Sequence, residues 1–121
     1  MRADLVEMVE TSFGSVWSLE LLLVLYRDPD AVWTPGQLVE ELRSSDLVVE
    51  QSIDGLLAAG LALAETGGAV RYGPASKHQD ELVGELEAEY RVKPAAIRRL
   101  IIQNPAERLR SFANAFNLKK S

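Results

Sequence analysis

His78 is the single histidine of the chain, and cysteine is absent. Those two counts bound the chemistry. Without thiols there is no disulfide framework, thiolate zinc site, iron–sulfur cluster or cysteine nucleophile. A Ser-His-Asp set would have to recruit Ser76, His78 and Asp80, and a helix fans residues two apart away from one reacting atom. His78 with Glu81 or Glu85 would face one side of a helix, but two ligands are too few for a metal. Gly67-Gly68 is followed by no phosphate-loop lysine, and no GxGxxG occurs. Glu85, Glu87 and Glu89 read as a solvated charge run. The chain therefore reads as non-enzymatic, with no catalytic residue, metal or cofactor expected.

What remains is binding chemistry, and charge decides its kind. The 121 residues carry a net charge of −5, which excludes a general basic coat for nucleic acid. The total hides an asymmetry: residues 1–90 hold five basic and seventeen acidic side chains, net −12. Residues 91–121 hold eight basic side chains and one acidic, Glu107, net +7. An acidic body with a basic appendage follows. Either the appendage folds back on the body, or both are solvated helix faces, or the tail meets an acidic partner or phosphates. With 47% hydrophobic residues the chain can bury a core. No apolar run is long enough to span a bilayer, and the start, Met1-Arg2-Ala3-Asp4, lacks the apolar stretch of a signal peptide. A soluble, cytoplasmic protein is expected.

The elements that must position any binding face read as follows. Leu5, Met8, Val9 and Phe13 recur at helical spacing, predicting a short amphipathic helix over 3–12. Residues 16–26 are apolar over most of a helix circumference, the mark of a buried helix, and Pro29 ends it. A short β-prone stretch at 31–33 meets Thr34-Pro35-Gly36-Gln37, an N-cap, an N1 proline and a capping-box glutamine. Leu38, Val39 and Leu42 form that helix's inward side. Ser44-Ser45-Asp46 breaks it and caps a helix over 47–59, with Val49, Ile53, Leu56 and Leu57 inward and Gly60 at its C-terminal turn. Leu61 and Leu63 alternate, as do Val70 and Tyr72, around Gly67-Gly68, predicting a hairpin. Helices follow over 76–91, from Pro94 with Ile97, Leu100 and Ile101 inward, and from Asn104-Pro105 with Leu109, Phe112, Ala113 and Phe116 on one side.

The order over residues 15–72 is helix, short strand, helix, turn, helix, hairpin. Val32-Trp33-Thr34, Gln37 to Leu42, the step Leu56-Leu57-Ala58-Ala59-Gly60-Leu61 and the run from Leu63 to Tyr72 carry it. This order resembles the winged helix-turn-helix superfamily common among bacterial transcription regulators. The resemblance covers about half the chain. It implies a winged-helix unit over 14–75, mainly α with a small β-hairpin wing; periodicity and charge add an N-terminal helix segment over 1–13 and a basic helical C-terminal extension over 76–121. It also implies that the helix over 47–59 is the recognition helix, whose outward residues meet bases in DNA-binding members.

That helix is poorly equipped to read DNA. Its outward residues are Leu47, Val48, Glu50, Gln51, Asp54 and Ala58, of which only Gln51 suits a base edge. Residues 14–75 carry three basic and nine acidic groups, net −6, where DNA binding rests on neutralised phosphates. Leu47, Val48, Glu50, Gln51 and Asp54 are therefore expected to bind a protein, another regulator or a second copy, unless Leu47 and Val48 are covered by the C-terminal helices. The Phe112/Phe116 helix is a second candidate surface. The alternative is direct DNA binding, with Gln51 at the bases and Arg71, Arg98, Arg99, Arg108 and Arg110 at phosphates. Against it, Arg98, Arg99, Arg108 and Arg110 also read as the solvated sides of amphipathic helices or as partners of acids such as Glu85, Glu87 and Glu89.

Overall fold

The computed structural model describes residues 2–103. Six helices and one two-stranded hairpin make up the described part, so the fold is mainly α with a small β-hairpin. The helices are α1 (Ala3–Ser12), α2 (Val16–Arg27), α3 (Pro35–Leu42), α4 (Asp46–Ala58), α5 (Lys77–Val92) and α6 (Pro94–Ile102). The strands are β1 (Ala62–Ala64) and β2 (Val70–Tyr72). The last predicted helix, with Leu109, Phe112 and Phe116, lies outside the described residues.

Local signals set the boundaries. Ser15 caps α2 through a reciprocal box with Ser18. Thr34 and Gln37 do the same for α3: the Gln37 amide donates to Thr34 Oγ1 at 3.2 Å, and the Thr34 amide donates to Gln37 Oε1 at 2.9 Å. The α3 helix ends on Arg43 in the left-handed region (φ 53°). The Ser44 and Arg43 amides turn back to the Val39 and Glu40 carbonyls and satisfy the end of the ladder. The α4 helix closes the same way. Gly60 is left-handed (φ 73°), and the Leu61 and Gly60 amides donate to the Leu56 and Leu57 carbonyls.

The α2 helix is the hub. Its Leu19, Leu21, Leu22, Leu23 and Leu25 are all fully buried. On it pack α3, α4, β2 and α6. The α1, α5 and α6 helices pack against one another. One cluster of buried side chains, from Leu5 to Ile101, crosses all three segments expected from the sequence. No single described helix is long and apolar enough to cross a membrane.

In the hairpin Ala62 faces Tyr72, Leu63 faces Arg71 and Ala64 faces Val70. Trp33 adds a two-bond bridge to Val70, with N–O distances of 2.8 and 2.9 Å, as a rudimentary third strand. Gly67 and Gly68 both take positive φ in a turn over Thr66–Gly68. Val70 and Tyr72 are buried as their alternation predicts, but Leu61 and Leu63 part company. Leu61 is consumed in closing α4 and is buried, whereas Leu63 stands on the outer face beside Arg71, 44% exposed.

Candidate interaction surface

The α4 helix begins at Ser45, whose Oγ accepts the Val48 amide at 3.3 Å. Asp46 in the first turn lies favourably against the positive end of the helix dipole. Val49, Ile53 and Leu56 are buried, and the helix packs on α2, α3 and β1. Burying that stripe fixes the opposite one. Leu47, Glu50, Gln51, Asp54 and Ala58, spaced three, one, three and four apart, form a single outward row, and all are exposed. Leu47 is 62% exposed. Val48 departs from the expectation: it sits at the edge of the row and is half-buried.

The neighbourhood of this row is acidic. Between Arg43 and Arg71 the chain has no lysine or arginine, while Asp46, Glu50 and Asp54 all lie on α4. Arg71, the hairpin cation, is ion-paired with Glu65 across the hairpin. Arg98 is engaged too, although with Glu20 of α2 and not with the α5 glutamates. Its Nη2 lies 3.8 Å from Glu20 Oε1, its Nε donates to the Tyr90 hydroxyl at 3.0 Å, and its guanidinium lies 5.4 Å from the Tyr90 ring centre. The α5 acids take other partners: Glu85 pairs with Arg2 at 2.8 Å and Glu87 with Arg91. Arg99 is exposed on α6. Gln51 and the α6 arginines thus stand on separate helices that both lean on α2. Arg108, Arg110, Phe112 and Phe116 lie outside the described residues.

The histidine chemistry disperses. Ser76 caps α5 by accepting the Gln79 amide, His78 Nε2 faces Asp4 at 3.4 Å, and Asp80 accepts the Tyr72 hydroxyl at 2.6 Å. Three residues close in sequence therefore serve three different contacts. Among the described residues no group of three or more histidine and acidic side chains could hold a metal.

Two tyrosines have contacts that spacing alone did not reveal. Burial, followed by the hydrogen bond to Asp80, pushes the Tyr72 phenol far above its ordinary pKa. Its ring meets Tyr26 edge-on at 5.4 Å. Tyr90 is raised in the same direction by burial and by its 2.6 Å hydrogen bond to Glu20, with Arg98 opposing. The Glu20–Tyr90–Arg98 cluster joins side chains up to 78 positions apart in the chain. No protein-family model, curated protein or solved structure matches this chain.

Proposed function

We propose that this is a non-enzymatic, winged-helix regulatory protein of transcription-regulator type that acts in the cytoplasm mainly through protein contacts. Its contact face is the outward row of α4: Leu47, Glu50, Gln51 and Asp54, with Val48 at the margin. The observation that carries this reading is the pairing, on one exposed row, of a largely uncovered leucine with carboxylates and no cation. An exposed apolar side chain ringed by polar groups suits a protein partner, which supplies apolar area and countercharge together. A phosphate backbone offers neither. The partner is another regulator or a second copy of this chain.

Direct DNA binding is the competing reading, and Gln51 is the residue that favours it, because its exposed amide has the donor–acceptor pair that matches adenine. Its cations fare worse, with Arg71 held by Glu65 and Arg98 by Glu20 and Tyr90. Titrating generic duplex DNA at about 50 and 200 mM salt separates the two, because a protein with six or more phosphate contacts loses about 10³-fold or more in affinity over that range. We expect no binding at the lower salt. Tight, steeply salt-dependent binding would reverse the order of the two readings.

A further inference from the structure

A second surface, distinct from the α4 row, lies where the start of α2 passes the end of α3. Val16, Trp17, Glu20, Glu41 and Leu42 line a shallow groove there. Trp17 is 40% exposed on it, exposed Glu41 supplies negative charge, and the Glu20 carboxylate is shared with Tyr90 and Arg98. An indole left this open beside an exposed carboxylate suits an apolar, cationic occupant.

The path of the chain indicates which occupant. The α6 helix starts near the beginning of α1, where Val92 and Lys93 share a depression with Arg2 and Leu5, and it packs along α1. From its middle, Arg98 reaches Glu20, a groove residue. The helix then ends at Ile102, whose side chain is 60% exposed. Gln103 stands five positions after Arg98, about 7.5 Å of helix rise. Gln103, the last described residue, thus lies within easy reach of the groove for an eighteen-residue segment. Residues 104–121 carry Leu109, Phe112 and Phe116 three and four apart, with Arg108, Arg110, Lys119 and Lys120 against the single acid Glu107.

We propose that residues 104–121 of the same chain occupy the groove between α2 and α3, with the apolar side chains against Trp17 and Leu42 and the cations facing Glu41. The basic appendage then neutralises its own acidic body. Arg108 and Arg110 are withheld from phosphates, and any outside partner of the groove must compete with the tail. This inference is independent of the α4 reading and survives its failure.

The absence of cysteine allows a clean test on the full chain. Asn114→Cys, off the apolar row, places one thiol for a nitroxide label. We expect the amides of Val16, Trp17, Glu41 and Leu42 to lose most of their intensity in the oxidised sample. Adding Phe112→Asp and Phe116→Asp should restore that intensity while the amide shifts of the buried α2 leucines stay in place. Three results each overturn the proposal: full intensity at those four amides, loss centred on α4 instead, or loss at the groove when labelled chain is mixed with isotope-enriched, label-free chain. The last would mean that the tail binds a second copy.

Discussion

Leu47→Asp tests the α4 face, because it should remove binding and barely touch folding. Fully burying a leucine is worth about 1.5–3 kcal/mol. Leu47 is 62% exposed, so little over a third of that, about 0.6–1.1 kcal/mol, is at stake. Aspartate adds about 0.5 kcal/mol of poorer helix propensity. Repulsion from Glu50, three residues on, adds about 0.2–0.5 kcal/mol. Against this, a carboxylate in the first turn gains about 0.3–1 kcal/mol from the helix dipole. The net cost is about 1 kcal/mol, which lowers Tm by about 4 °C in a domain of this size. Leu56→Ala, on the buried side of the same helix, should cost about 2–5 kcal/mol. Thermal melting followed by circular dichroism ranks the two variants, and cross-linking with wild-type and Leu47→Asp bait reads the interaction. Val48 is a poorer probe, because its half-buried side chain mixes folding with binding. If Leu47→Asp melts as early as Leu56→Ala, the leucine is core and the exposed-face argument fails. If it melts near the wild type and keeps every cross-linked partner, the face is not the interface.

Other outcomes follow from single contacts. Gly60→Ala forces a side chain into a left-handed position (φ 73°) with its Cβ 3.2 Å from that of Ala75; urea denaturation should show a loss of about 1–2 kcal/mol. Tyr72 holds its phenolic proton more tightly folded than unfolded. The unfolded chain therefore releases that proton first, and stability present below pH about 10 is lost progressively as pH rises above it. Urea midpoints from pH 8 to 11 should fall less steeply for Tyr72→Phe than for the wild type, and parallel slopes would refute the assignment.

Neighbours in the chain are enough to fix the described elements, because each rests on local contacts. Thr34 and Gln37 form a capping box at any helix start. Gly60 tolerates the left-handed turn that closes α4, and a row of leucines buries itself wherever it finds another. The same local logic placed Leu47, Glu50, Gln51 and Asp54 on one outward row, since burying Val49, Ile53 and Leu56 leaves their opposite side no other direction. Val48 lies between the two rows and is half-buried, and Leu63 faces outward because the end of α4 uses Leu61 for its own closure. Charge partners were the tertiary structure's decision. Glu20, Tyr90 and Arg98 are far apart in the chain and meet only because α5 and α6 fold back toward α2. Coulomb attraction and hydrogen bonds act over a few ångströms of space, and sequence separation says little about that distance until the core has formed. Counting charges along the chain therefore revealed how many cations there were, but only packing decided that Arg71 and Arg98 were already taken.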